Sequence, residues 1–238
     1  GNWINVILLG EVFSTIFVTI FGDTLNKKPF LTSADASRNM IVTLPVVLSG
    51  ILNNVIFNMD RITLKLVCND DTTLSVFYIA GLFGKTMSLV SLPLNNVAIG
   101  YLAKHKGKFT VKTLLKITAL AVVLGVLATF GCTLASYIII PFLYSNNAAA
   151  EIAKDYFIIA NVSSIIYFIT SFFSVILLRY GKERSHFYTN LVYAIAFIAL
   201  CIPACIKWKL MGLCISLIAV NVIKFVATLW WCITAVRK

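Results

Sequence analysis

The chain has 238 residues, of which 60% are hydrophobic and only 12% are charged. In a soluble domain, roughly a quarter of the residues are charged. This composition therefore excludes an ordinary water-soluble fold and favours an integral membrane protein. The formal net charge of +11 does not indicate nucleic-acid binding, because the lysines and arginines cluster in short segments between apolar runs, as in the loops of membrane proteins.

Seven apolar runs are long enough to cross a bilayer as helices, which need roughly 20 residues each. They are too long for the strands of a membrane barrel, which have about ten residues and alternate in polarity. The sequence therefore predicts an all-α, polytopic bundle of about seven transmembrane helices. The predicted spans are Trp3–Phe21, Met40–Val67, Leu74–Leu102, Val111–Ile140, Ile152–Leu178, Phe187–Ile206 and Leu210–Val236.

Basic residues follow the first, third and fifth predicted spans and end the chain, and this bias predicts the orientation. Because loops rich in lysine and arginine stay in the cytoplasm, the chain is expected to start outside and to end inside. The opposite loops carry Asn69–Asp71 and the segment 145–155, in which Lys154 is the single base. Lys207 and Lys209 depart from the pattern, and we expect them to reach the outer interface beside Trp208.

A polar segment, residues 22–39, separates the first predicted span from the other six. We expect a boundary there, between residues 1–39 and a six-helix domain of residues 40–238. The chain starts with glycine, on apolar sequence without a preceding basic region, which argues against a signal peptide and favours a piece of a longer protein.

The cysteines and histidines do not form a metal-binding pattern, and no cofactor or metal is predicted. The six cysteines lie in or at the edge of apolar runs and are expected to be buried free thiols. His105 and His186 are expected to be solvated in cytoplasmic loops. The six cysteines are Cys68, Cys132, Cys201, Cys205, Cys214 and Cys232.

The second predicted span carries polar residues at helical spacing. Steps of four, four, three and four place them on one helical face, while Asn53 and Asp60 lie on an adjacent strip. A face of this polarity is predicted to line a cavity or an interhelical seam rather than lipid. Its residues are Gly50, Asn54, Asn58, Arg61 and Lys65.

Charged residues also occur inside other predicted spans, where each costs roughly 2.5 to 3.5 kcal/mol on insertion scales. Lys85 shares a face of the third span with Tyr78, Gly81 and Ser88. In the seventh span, Lys224 lies near the middle with Asn221 and Thr228 at steps of three and four, and Glu11 lies in the middle of the first span.

Two interpretations of these residues remain open at this point. In the first, the charges pair within the bundle and fix its packing, for instance Asp60 with a lysine. In the second, the cationic faces converge on a cavity for an anionic group, and Arg61 binds phosphate oxygens through two hydrogen bonds. Glu11 and Asp60 are then either members of ion pairs or a site for a coupling proton or cation. The predicted substrate-binding residues are Arg61, Lys65, Lys85, Lys224, Asn54, Asn58 and Asn221.

The second and third spans also resemble a known family. A proline-led helix opens at Leu44–Ser49 and reaches an acidic-basic pair at Asp60 and Arg61, and a short turn leads into a further helix at Val76–Ala80. This resembles the start of the C-terminal lobe of the O-antigen-type polysaccharide flippases, in the superfamily that also contains the MATE multidrug exporters. By this resemblance, Asp60 and Arg61 match the acidic-basic pair of the family.

The resemblance implies two six-helix lobes with cytoplasmic termini, so that the first span is the sixth helix and residues 40–238 are the C-terminal lobe. It implies a flippase that moves polyprenyl-pyrophosphate-linked oligosaccharide across a bacterial or archaeal cytoplasmic membrane by alternating access, for the synthesis of surface polysaccharide such as lipopolysaccharide. Implied partners are membrane lipid, the lipid-linked oligosaccharide, a polysaccharide polymerase and glycosyltransferases, with proton or sodium coupling.

Three other functions are weighed against this one. A cation-coupled multidrug or small-molecule antiporter of the same superfamily would use Glu11 or Asp60, but its cavity should be more acidic than the cations here suggest. A membrane-embedded transferase would need a catalytic cluster near one interface, and neither histidine lies in one, so we expect no enzyme. A structural partner subunit would not explain three polar faces.

Overall fold

The computed structural model describes residues 9, 12–14, 16–17, 20, 36–104, 110–145, 147–181 and 183–237. These residues are almost entirely helical and contain no strand, which confirms the predicted all-α class and a bundle compatible with a membrane. The chain divides into two compact units, residues 1–41 and 42–238. Most of the predicted first span, including Glu11, lies outside the described residues.

Eight α-helices make up the described chain from residue 36 onward. A 3₁₀ turn at Lys154–Tyr156 joins α5 to α6, and a π-helical segment at Phe197–Cys201 joins α7 to α8. The helices are α1 (Ala36–Cys68), α2 (Asp71–Ala80), α3 (Leu82–Lys104), α4 (Val111–Leu143), α5 (Ala148–Ala153), α6 (Phe157–Tyr180), α7 (Glu183–Ala196) and α8 (Ile202–Val236).

The turn between α1 and α2 is built from two residues suited to helix ends. Asn69 has φ 46°, a left-handed conformation that asparagine tolerates better than most residues. Asp70 caps α2, because its carboxylate accepts hydrogen bonds from the backbone N–H groups of Thr72 and Thr73. A hydrogen bond from the Thr73 hydroxyl, together with these two, lowers the pKa of Asp70 to about 2.

Helix α8 contains a sharp reversal at Trp208 and Lys209, where the backbone leaves the helical region and Lys209 has φ 50°. A Cβ atom on Gly212 would lie 2.1 Å from the backbone oxygen of Ala204. Residues eight apart in a straight helix are separated by about 12 Å, so the chain must fold back on itself here. The reversal lies where the sequence predicts the loop between the sixth and seventh spans.

Three helical stretches of the described residues are long and apolar enough to cross a membrane: Val111–Leu143, Ala148–Tyr180 and Arg184–Val236. The third contains the reversal at Lys209, so it consists of two consecutive antiparallel helices. These stretches fit a multi-pass membrane protein. The full number of about seven spans stays a prediction, as does the orientation of the termini.

Helix α6 lies at the centre of the second unit. It packs against α3, α4 and the second part of α8, residues 210–236. Phe157 at its first residue and Phe173 two turns before its last residue are fully buried in two separate apolar clusters. Helix α4 is by contrast mostly exposed. All six cysteines are free, and five of them are buried, which confirms their interpretation as small apolar residues.

Candidate functional site

Two neighbouring strips of α1 differ in what surrounds them. The inner strip, defined as Ser49, Asn53, Ile56, Asp60 and Leu64, faces the bundle, and all of its members except the partly buried Asn53 are buried. The outer strip is the polar face predicted from the sequence. There, Asn54, Asn58 and Lys65 are exposed, while Gly50 and Arg61 are partly buried.

The inner strip includes the buried carboxylate of an ion pair between α1 and α3, whose partner Lys85 is partly buried. The Lys85 Nζ atom donates to Asp60 Oδ2 at 2.5 Å, and the Arg61 backbone N–H donates to Asp60 Oδ1 at 2.7 Å. Lys85 Nζ also lies 4.7 Å from the ring centroid of Phe77. A buried cation that has both a carboxylate and an aromatic face is well compensated, so Lys85 is neutralised within the bundle.

Lys224 is buried in a different way. It is 3% exposed, its Nζ donates to Asn53 Oδ1 at 2.6 Å, and it lies 4.5 Å from the ring of Tyr167 and 4.2 Å from the ring of Tyr193. The Asn53 amide in turn donates to the Tyr167 hydroxyl at 2.8 Å. No carboxylate of the described residues pairs with Lys224. Its compensation comes from an amide oxygen and two aromatic faces.

A small cavity of about 40 Å³ lies beside these groups; its lining is mostly apolar but includes Asp60, Lys85, Tyr167 and Asn221. One water needs roughly 10 to 15 Å³ of such volume, so the cavity has room for about three waters. It is far too small for a pyrophosphate head group. The Asn221 amide donates to the backbone oxygen and hydroxyl of Ser163, while its Oδ1 atom is buried without a partner in the described part of the chain.

Arg61 and Lys65 lie on the outer strip, away from this cavity. The Arg61 guanidinium stacks 4.3 Å above the ring of Tyr78, which is itself exposed. None of the ion pairs described for the chain includes Arg61, and its buried Nε atom has no partner there. Lys65 forms an exposed ion pair with Asp71, in the first turn of α2.

The structure thus divides the predicted site residues into two groups. Asp60, Lys85, Asn221 and Lys224 come together in the bundle, and we call them, with Asn53 and Tyr167, the enclosed cluster. The predicted convergence of all cationic faces on one open cavity is not what the described residues show, because Asp60 neutralises Lys85 and the cavity beside them is small. The others, Arg61, Lys65, Asn54 and Asn58, lie on the outer strip.

Sequence reasoning missed a polar contact between α1 and α7, and the prediction that His186 is solvated is wrong. His186 is partly buried, its Nδ1 atom lies 2.5 Å from Ser49 Oγ, and the Asn190 amide donates to the same oxygen at 2.7 Å. Helix α7 begins at Glu183, so His186 lies within its first turn. The spacing of His186, Asn190 and Tyr193, at steps of four and three, could have revealed this face.

No protein-family model, curated protein or solved structure matches this chain. The interpretation of the site therefore depends on its own geometry and on the chemistry of its residues.

Proposed function

We propose that the chain belongs to a membrane transporter that moves polyprenyl-pyrophosphate-linked oligosaccharide across the cytoplasmic membrane for surface polysaccharide synthesis. In this proposal, the outer strip of α1 faces the head group of the substrate during alternating access. The observation that carries the proposal is Arg61, a cation that has no carboxylate partner among the described residues and lies on the polar outer strip of α1.

The geometry of Arg61 suits a phosphate ligand. Stacking on Tyr78 orients the plane of the guanidinium, and its buried Nε atom has no partner among the described residues. The planar N–H fork of an arginine binds two phosphate oxygens at once, which a lysine does not. The exposed amides of Asn58 and Asn54 lie about one and two turns from Arg61 on the same strip, where they can bond sugar hydroxyls.

The enclosed cluster supports the same proposal through its charge. Asp60 and Lys85 cancel, whereas Lys224 adds a positive charge that no described carboxylate offsets. A buried charge acts over a longer distance than an exposed one, because little water surrounds it. Lys224 therefore makes the electrostatic potential around α1 more positive and favours an anionic substrate.

A second candidate is a cation-coupled antiporter, and one specific observation favours it. The small cavity brings the Asp60 carboxylate together with Asn221, whose unpartnered Oδ1 atom is buried. Oxygen atoms of these two kinds are ligands that a hard cation prefers. In this alternative, a cation or proton at Asp60 releases Lys85, and the resulting change in charge drives the transport of another solute.

The two candidates differ in their dependence on Arg61. In cells that depend on the full-length protein for surface polysaccharide, Arg61→Gln at matched protein level should lower surface polysaccharide about ten-fold or more, since a charge-assisted hydrogen bond contributes about 1.5 to 3 kcal/mol. Arg61→Lys should restore only part of it, because lysine keeps the charge and loses the fork.

The matched control is Lys154→Gln, which removes an exposed cation that forms an ion pair with Glu151 at the start of the α5–α6 segment. This variant should leave surface polysaccharide unchanged. Normal polysaccharide in Arg61→Gln would contradict the flippase proposal. Loss of polysaccharide in Lys154→Gln as well would show that the assay reports general damage to the protein.

A further inference from the structure

A second, larger cavity lies on the other side of α6 from the polar cluster. It is a groove of about 660 Å³ between α4, α6 and the second part of α8. One wall is the α4 face at Val122, Val126 and Thr129, and the opposite wall is the α6 face at Val162 and Ile166. Its lining residues come from the three stretches that are long and apolar enough to cross a membrane.

The lining of the groove offers no group that would bind a polar ligand. No charged residue of the described chain contributes to it. The Thr129 hydroxyl donates to the backbone oxygen of Gly125 at 2.9 Å, and the Thr133 hydroxyl accepts from the Asn161 amide at 3.4 Å. With these hydroxyl groups engaged inside the bundle, the threonines present their methyl groups, and the groove is an apolar surface.

The groove is elongated along the helices. On α4 it extends from Val122 to Thr133 and on α6 from Ile158 to Ile169, which is eleven residue steps in each case. At 1.5 Å per residue, its length is about 16 Å, roughly half of a bilayer's hydrocarbon core. Helices α4 and α6 approach each other closely at Gly125. A Cβ atom on Gly125 would lie 2.4 Å from the Ile169 Cδ1 atom.

We propose that this groove is a binding site for one hydrocarbon chain of a membrane phospholipid. The groove is continuous with the exposed apolar surface of α4, which includes Val123, Leu127 and Phe130 and which the bilayer covers. A chain in the groove is contacted from three helices, whereas a chain on a flat helix surface is contacted from one side. The additional dispersion contacts give the groove its preference over the surrounding lipid. This inference does not depend on the proposed transport function.

The test uses full-length protein in vesicles of phosphatidylglycerol and phosphatidylethanolamine that contain a phospholipid with a photoactivatable diazirine in one acyl chain. After illumination, mass spectrometry locates the labelled residues. We expect labelling concentrated on the α6 wall of the groove, at Val162 and Ile166, above that on the exposed residues Leu120 and Val123 of α4.

Substitutions at two neighbouring residues of α4 distinguish lipid binding in the groove from general contact of lipid with the apolar surface. Val126 is 65% exposed and lines the groove, whereas Leu127 is 62% exposed and does not. Val126→Trp should fill the groove and reduce labelling of the α6 wall about five-fold, since the chain loses on the order of ten packed atom contacts. Leu127→Trp should leave that labelling unchanged.

Equal labelling of the α6 wall in both variants, or uniform labelling over the whole apolar surface, would overturn the proposal. A cross-linked dimer with protected groove residues would also overturn it, because a second copy would then occupy the groove. If Val126→Trp does not fold, Val222→Trp fills the groove from α8 and should give the same loss. Retained labelling in that variant would count equally against the proposal.

Discussion

The inner and outer strips of α1 share one helix, and they are adjacent at Asp60 and Arg61, yet they differ in how their charges are compensated. On the inner strip, Asp60 is 5% exposed and holds Lys85 in an ion pair. On the outer strip, Arg61 stacks on Tyr78 and has no carboxylate partner among the described residues, and Lys65 pairs with Asp71 near the surface. The comparison separates a charge pair within the bundle from charges on the more exposed side of α1, among which we propose that Arg61 binds a ligand.

The largest expected effect comes from breaking the buried pair. Asp60→Asn leaves the partly buried Lys85 ammonium without its carboxylate, which should lower the free energy of unfolding by about 3 to 5 kcal/mol. The control is Asp71→Asn in the first turn of α2, which breaks the exposed pair that Asp71 forms with Lys65 of the outer strip and should cost less than about 1 kcal/mol. Denaturant unfolding of the purified protein in detergent measures both.

Equal effects of Asp60→Asn and Asp71→Asn would remove the distinction between the two strips. The double variant Asp60→Asn, Lys85→Met should recover most of the lost stability, because it removes both charges together.

A second prediction compares a glycine that is packed inside the bundle with a glycine on the outer strip. A Cβ atom on Gly84 of α3 would lie 2.8 Å from Asn161 Oδ1 and from Ser164 Cβ, whereas a Cβ atom on Gly50 of the outer strip would meet nothing within 4 Å. Gly84→Ala should therefore destabilise the protein by about 1 to 3 kcal/mol through overpacking. Gly50→Ala should stabilise it by up to about 1 kcal/mol through helix propensity.

Thermal unfolding of both glycine variants in the same detergent tests this prediction. A stabilising Gly84→Ala would mean that α3 and α6 are not in close contact at Asn161.

A smaller effect is expected at Lys224, whose charge has no described carboxylate partner. Lys224→Met loses the hydrogen bond to Asn53 and the contacts with Tyr167 and Tyr193 but also removes the cost of burying a charge. These effects should nearly cancel, so stability should change by about 1 kcal/mol or less. Lys85→Met leaves the buried Asp60 carboxylate without its cation and should lower stability far more.

Unfolding curves of Lys224→Met and Lys85→Met, recorded side by side, check this difference between the two lysines. A Lys224→Met variant as unstable as Lys85→Met would point to a carboxylate partner for Lys224 outside the described residues.

The smallest expected effect is a pH dependence at the turn between α1 and α2. The pKa of Asp70 is lowered from 3.8 to about 2 by hydrogen bonds from Thr73 and Thr72. A carboxylate with a depressed folded-state pKa stabilises the fold above its unfolded pKa and loses that contribution as the pH falls through its folded pKa. The contribution should therefore be present at pH 5 and disappear between about pH 4 and pH 2.

Asp70→Asn keeps a side-chain oxygen for the cap but has no titrating group. The difference in melting temperature between wild type and Asp70→Asn should shrink as the pH falls through this range. A difference that is constant from pH 5 to pH 2 would show that the cap is not ionised.

Much of the helical layout could be predicted from the sequence because it depends on local properties. The apolar run from Val111 predicts α4, and the polar Lys207–Lys209 segment predicts the reversal between the last two helices. In both cases, burial in lipid requires every backbone group to be paired within a helix, so the length of the run determines the element.

The candidate site could be predicted only in part, because the partners of its residues are far apart in the sequence. The spacing correctly separates Asp60 from the strip of Asn54 and Asn58, but spacing alone does not show which strip faces the bundle. The packing of α1 against α3, α6 and α7 decides this, through contacts such as Asp60 with Lys85 and Ser49 with His186. Likewise, the sequence around Tyr167 and Tyr193 does not indicate that their rings contact Lys224.

The most direct test of the proposed function is the binding of polyprenyl pyrophosphate to the purified full-length protein in lipid nanodiscs. Wild type should bind the pyrophosphate in preference to the uncharged polyprenol, and Arg61→Gln should bind it about ten-fold more weakly, since a charge-assisted contact is lost. Equal affinity of wild type and Arg61→Gln, or equal affinity of wild type for the pyrophosphate and the polyprenol, would contradict the proposal that the outer strip of α1 binds an anionic lipid head group.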